Sequence, residues 1–206
     1  MNSVLDFIQK GGVMMYPLIG GSVILIALAI ERAIMLRRAG ADGDDLLERV
    51  KELFAPGGDA AQAMSLCDGD KTPMGRMFGR GLRNAARDAD AIEMAMEQEA
   101  ANDAPMLEAN LPLIKTIATI APLMGLLGTI AGMISAFRAA SQKGLSNPTE
   151  ILGGISEALI STATGITLAI VAYIAFNYFA NLARKITEDM EYYGAELINY
   201  ITGRID

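Results

Sequence analysis

The sequence predicts an all-α membrane protein with three transmembrane helices and long cytoplasmic helical extensions. Three observations carry that reading. Residues 11–30, 116–137 and 158–183 contain no Asp, Glu, Lys or Arg, and each run suffices for a hydrocarbon core of ~30 Å at ~1.5 Å per residue. The polar stretch between the first two runs carries apolar residues at helical spacing, punctuated by caps and prolines. No stretch alternates apolar and polar residues as a half-buried strand would.

The first span follows an N-terminus of residues 1–10. It reads as a retained span rather than a cleaved leader. Asp6 balances Lys10, so a positive n-region is missing, although Ala27-Leu28-Ala29 could pass as a cleavage site; the apolar run ends in Glu31-Arg32. Cationic residues near the span ends set the orientation. Arg32, Arg37 and Arg38 follow the first span, Lys115 precedes the second, and Arg184 and Lys185 follow the third. The opposite side holds Lys10, Arg138 and Lys143. Residues 1–10 and the connection 138–157 are therefore expected outside, in the periplasm of a bacterium, and residues 31–115 and 184–206 in the cytoplasm.

In the cytoplasmic segment, Asp44 to Phe54 places Leu46, Leu47, Val50, Leu53 and Phe54 at helical spacing, and Pro56-Gly57-Gly58 stops it. A short helix is expected from Asp59 to Leu66, ending near Gly69. Thr72-Pro73 supplies an N-cap and a first-turn proline for a helix running to Ala101. Asn102 or Asp103 then caps a start at Pro105, from which Leu107, Leu111, Ile114 and Ala118 continue the pattern into the second span. Pro112 and Pro122 fall inside that helix and are expected to kink it. The third span opens with Asn147 as cap, Pro148 in the first turn and Glu150 three residues after the cap. No breaker follows until Gly194, so this helix is expected to run ~50 residues. Its cytoplasmic end keeps an apolar stripe, Ile186, Met190, Tyr193, Leu197 and Ile201, that calls for a partner helix.

Several function classes are disfavoured. The chain has no histidine, which removes His-based metal sites and triads, and one cysteine, Cys67, which reads as a reduced thiol without a role. There is no G-x-x-x-x-G-K-[ST] phosphate loop. The net charge of −7 argues against nucleic acid. Neither an enzyme activity nor a metal or cofactor is expected.

The residues that carry chemistry sit in the second and third spans. Gly125, Gly128 and Gly132 line one helical face, and small faces let helix backbones approach closely in lipid. Thr129 lies in the second span; Ser161, Thr162, Thr164 and Thr167 lie in the third. Thr129 stands about 13 Å from Arg138 along its helix and Thr162 about 7 Å from Glu157, so the two approach one level if Glu157 is partly immersed. Glu157 is the carboxylate closest to a span interior. Two readings of it stand: an ionisable group kept there for function, and an exposed Glu near the start of its helix, favoured by the dipole. Glu157, Ser161 and Thr164 share one face, whereas Thr162 lies roughly 140° round from Glu157. No Asp, Glu, His or Lys lies deep in any span, so a proton path here needs a carboxylate from another chain.

The string from Ala121 to Phe137, APLMGLLGTIAGMISAF, followed by Gly154-ISEALISTATGI, resembles the paired signature of the ExbB/TolQ/MotA proton-channel family. The run Gly11-GVMMYPLIGGSVILIALAIER resembles the first span of ExbB-type members. The resemblance implies a homopentamer of long helices around a dimer of an ExbD/TolR-like single-span protein, whose transmembrane Asp titrates. It places the family's pore-lining threonines on Thr129 and Thr162 and its third-span glutamate on Glu157; Ser161 and Thr164 would extend the lining. Ser161-Thr162-Ala163-Thr164 is more hydroxylated than the family's Ala-Thr-Ala-Ile pattern. Three spans rather than MotA's four point to the ExbB or TolQ type.

The expected function is a proton-channel or stator subunit of a bacterial inner-membrane motor. It would couple the proton-motive force to work across the envelope, with the glycine face packing protomers together. The alternatives are a TolQ-like envelope-maintenance or gliding motor subunit and a non-conducting scaffold for a single-span partner. A small-solute transporter fits less well, since no internal repeat or broken-helix pair is visible.

Overall fold

The computed structural model describes residues 11–40, 42–143 and 148–204, the side chains of Lys143 and Glu150 excepted. Among the described residues there are seven α-helices and no strand: α1 Met15–Ala39, α2 Gly43–Leu53, α3 Ala61–Gly69, α4 Pro73–Arg83, α5 Ala89–Glu108, α6 Leu111–Lys143 and α7 Pro148–Ile201. Three helical stretches are long and apolar enough to cross a membrane. The chain divides into two compact units, Met1–Glu31 with Asn110–Tyr178, and Arg32–Ala109 with Phe179–Asp206.

The first unit holds the beginning of α1, all of α6 and residues 148–178 of α7. Its interior is built from Met15, Leu18, Leu25, Ile114, Ala121, Ala136, Ala158 and Ala172. Its surface is apolar as well: Ile24, Ile26, Leu123, Leu126, Ile130, Ile170 and Ile174 are all exposed. Helices apolar all round are what a hydrocarbon solvent requires. The α7 helix is 54 residues long, as its unbroken pattern leads one to expect, and Gly194 does not end it. The expected cap Asn147 lies outside the described residues.

The helix expected to run from Pro105 into the second span is broken. Ala109 leaves α5 at φ −52, ψ 144, and Asn110 has φ 62 before α6 starts at Leu111. The cause is Pro112. Deep inside a helix its ring would clash with the carbonyl four residues back, but in a first turn its missing N–H costs nothing. Asn is among the few residues that tolerate the left-handed region, and Asn110 Nδ2 donates to Glu31 Oε2 at 3.0 Å. Pro112 thus opens a helix rather than kinking one, while Pro122 does lie inside α6.

In the second unit the Thr72 hydroxyl accepts from Gly75 N–H at 3.1 Å and Pro73 takes the first turn of α4. This helix stops at Arg83 rather than running to Ala101. A turn over residues 84–88 follows, and the Asp88 carboxylate caps α5 by accepting from Ala91 N–H at 3.2 Å. Asn and Asp side chains compete for backbone groups in this way where no Gly or Pro marks a break. Pro105 lies inside α5, and Asp103 is no cap. Its carboxylate accepts two bonds from Arg76, Nε at 3.0 Å and Nη2 at 2.8 Å. The stripe on α7 finds partner helices within the chain. A side chain on Gly43 of α2 would overlap the Tyr193 ring, and one on Gly194 would stand 3.1 Å from Met77 of α4. Tyr200 OH donates to the Phe54 carbonyl at 2.8 Å, and Lys51 Nζ meets Glu196 at 3.0 Å.

Candidate functional site

The α6 and α7 backbones meet glycine against glycine. A methyl group on Gly132 would lie 2.7 Å from the Gly154 carbonyl oxygen, and one on Gly165 would lie 2.6 Å from that of Ala121. Gly125 faces Ser161 and Thr162, and Gly128 faces Ser161 so closely that a Cβ would overlap its side chain. Residue numbers rise along one helix as they fall along the other, so the pair is antiparallel. The glycine face, expected to pack protomers against each other, is therefore occupied within the chain. The sequence reveals a small face but not which helix will claim it.

This register fixes the levels of the hydroxyls. Thr162 Oγ1 donates to the Gly125 carbonyl at 2.9 Å, across the helix pair. Thr129 lies one turn along α6 from Gly125, about 6 Å, so the two threonines stand at neighbouring levels. Thr129 Oγ1 donates to Leu126 O at 2.6 Å, Thr164 Oγ1 to Ile160 O at 2.8 Å and Thr167 Oγ1 to Ala163 O at 2.8 Å. Of these hydroxyls, Thr162's is the one that bridges two helices. Ser161 differs again. It is 0% exposed, and its Oγ has no hydrogen-bond partner. It sits inside the chain's own packing, on α7 against Gly128 of α6.

Glu157 and Thr162 face different neighbours, as their angular separation on the helix leads one to expect. The half-buried Glu157 carboxylate lies against Gly12, which has φ 72; a Cβ there would overlap the carboxylate. Sequence reasoning missed this contact. The only signal available was the Gly11-Gly12 pair preceding an apolar run. A groove of about 450 Å³ opens between α1 and α7, lined among others by Ser22, Leu25, Ile26, Thr164, Thr167 and Leu168.

The stretches 116–137 of α6 and 158–183 of α7 hold no Asp, Glu, Lys or Arg and bring two threonines to adjoining levels, with the Glu157 carboxylate just before the second stretch. Hydroxyls at these positions can bond water or a carboxylate but cannot themselves exchange protons near neutral pH. The pair can line a polar path and cannot relay a proton alone.

A family model described as the MotA/TolQ/ExbB proton channel family matches residues 69–192. The chain is 33% identical over 176 residues to a putative biopolymer transport protein, ExbB-like 3, of Synechocystis, which covers 84% of this chain and 83% of that protein. It is 28% identical to a biopolymer transport protein ExbB of Xanthomonas campestris, over 69% of this chain and 54% of that protein. It is also 28% identical to a Tol-Pal system protein TolQ of Pseudomonas aeruginosa, over 81% of this chain and 76% of that protein.

Proposed function

The chain belongs to the MotA/TolQ/ExbB proton channel family, and from that membership we propose that it is the multi-span subunit of an inner-membrane motor that spends the proton-motive force on work across the envelope. One observation carries the reading: Thr162 and Thr129 stand at neighbouring levels where α6 and α7 pack together, within stretches 116–137 and 158–183 that hold no Asp, Glu, Lys or Arg. Such a pair supplies polar contacts without a titrating group. The titrating carboxylate then comes from a single-span, ExbD/TolR-like partner, held at the centre of a pentamer of this chain. Thr129 and Thr162 line its path and Glu157 flanks it. Thr164 extends the hydroxyl series towards α1, and Ser161 supports the wall from within. The chain itself makes and breaks no covalent bond. In this reading residues 11–30, 116–137 and 158–183 cross the membrane, the N-terminus is periplasmic and the C-terminus cytoplasmic.

The energy scale suffices, since one charge crossing 100 mV releases about 2.3 kcal/mol. ExbB-like and TolQ relatives have similar identities to this chain, so delivery to outer-membrane transport and to envelope maintenance both remain within the proposal. The test is proton uptake into liposomes holding this chain and its single-span partner. The Thr129→Val, Thr162→Val double variant is expected to lose most of the flux with assembly intact. Wild-type flux in that variant would remove both threonines from the path. Activity of the complex that survives Asp→Asn in the partner's span would favour the scaffold.

A further inference from the structure

The segment just before α1 folds over the end of the α6–α7 pair at three successive points. A Cβ on the buried Gly11 would lie 3.0 Å from Cγ2 of Ile160. One on Gly12 would overlap the carboxylate of Glu157 and stand 2.8 Å from its Cγ. Met14 Cβ comes within 3.4 Å of the corresponding position on Gly128. The backbone returns on itself here: Met15 N–H donates to the Gly12 carbonyl at 3.2 Å and Tyr16 N–H to that of Val13 at 3.3 Å. Gly12 adopts φ 72, a left-handed conformation that L side chains disfavour.

Two requirements for glycine thus coincide at position 12. The turn needs the left-handed conformation, and the carboxylate needs the space. Either alone would read as local packing. Together they put bare backbone directly against the ionisable side chain that precedes the uncharged stretch 158–183 of α7. Ser161, one turn along from Glu157 on the same face, packs against Gly128, which Met14 of the same segment also approaches.

We propose that Gly12 is a positioning residue for Glu157: the Gly11–Gly12 turn fixes where the carboxylate stands, and so tunes proton passage through the complex. This rests on the reading of Glu157 as flanking the proton path. The turn acts through excluded volume. Any side chain at position 12 pushes the carboxylate off its place, and an ångström-scale displacement of a positioned group costs on the order of tenfold or more in rate.

The experiment measures proton uptake in liposomes containing the full chain and its single-span partner, with the amount of assembled complex quantified. Four variants are compared: Glu157→Gln, Gly12→Ala, Glu157→Asp, and Gly12→Ala combined with Glu157→Asp. The proposal expects Gly12→Ala to lower flux about tenfold and the double variant to recover much of it. Asp keeps the charge but is one methylene shorter, leaving room for the new methyl. Wild-type flux in Gly12→Ala overturns the proposal. So does a deficit that Glu157→Asp fails to relieve, because strain in the turn alone is indifferent to the length of residue 157. Unchanged flux in Glu157→Gln instead defeats the placement of Glu157 beside the path, a separate failure. Should Gly12→Ala not assemble, the same cycle is read as unfolding temperature in detergent. A loss recovered by Glu157→Asp supports the contact, and a loss that persists refutes it.

Discussion

Thr162 donates its hydroxyl to the carbonyl of Gly125, 37 residues away, at 2.9 Å. The acceptor is open only because Gly125 has no side chain; a Cβ there would stand 3.1 Å from Thr162 Cα. Thr162→Val keeps the shape and removes the bond, and is expected to lower the stability of the solubilised protein by about 0.5–1.5 kcal/mol. Thr129→Val removes only a bond within α6 and should cost less. Thermal unfolding of the two single variants in one detergent gives the comparison.

Glycines on the helix contact and glycines away from it should respond with opposite signs. Gly128→Ala and Gly132→Ala force methyl groups into Ser161 and into the Gly154 carbonyl, an overpacking expected to cost roughly 1–3 kcal/mol. Gly20→Ala and Gly153→Ala meet nothing within 4 Å and should be neutral or stabilising by up to about 1 kcal/mol. Unfolding temperature and yield of folded protein read both.

The Arg76–Asp103 pair ties α4 to α5 with two parallel bonds. Asp103 is only 9% exposed, and Arg76 also donates from Nη1 to Lys71 O at 2.7 Å. Asp103→Ala leaves a guanidinium without its carboxylate and should cost about 1–3 kcal/mol. Adding Arg76→Ala should cost much less than its effect alone. Additive losses in a double-mutant cycle would show that the pair is not coupled.

Cys67 should be silent until the chain unfolds. Burial pushes its thiol up to about 12, and Asp70 and Asp68 add to the effect. The folded thiol therefore holds its proton where an unfolded one, near ~8.5, releases it. Stability is undiminished by this group below the unfolded value and falls as pH rises from there towards the folded one. Maleimide labelling at pH 7.5 should be slow in the native protein and fast in denaturant. Rapid native labelling would contradict the buried placement.

Much of this architecture was legible in the residues. The charge-free runs announce the three long helices, and Thr72-Pro73 starts α4 where a cap followed by proline should. Other features were ambiguous because one residue type serves two physical ends. Pro112 signals a kink inside a helix or a start in its first turn; only the left-handed Asn110 decides. Asp103 before Pro105 looks like a cap, yet its carboxylate is worth more to Arg76 than to a helix end that does not occur. The break at residues 84–88 carries no Gly or Pro, and Asn84 and Asp88 are its only sequence signals. At the site, the levels of Thr129 and Thr162 could be approximated from residue counts. The contact between Gly12 and Glu157 could not, because 145 residues separate them and no periodicity links the two.

Gly125, Gly128, Gly132, Gly154 and Gly165 make the α6–α7 contact largely from main chain. Main chain has no rotamers to exchange, so these close approaches leave the contact few alternative packings. A helix pair sealed in this manner transmits load as a stiff strut. Motion of this unit against a neighbour would then leave the register between α6 and α7 unchanged.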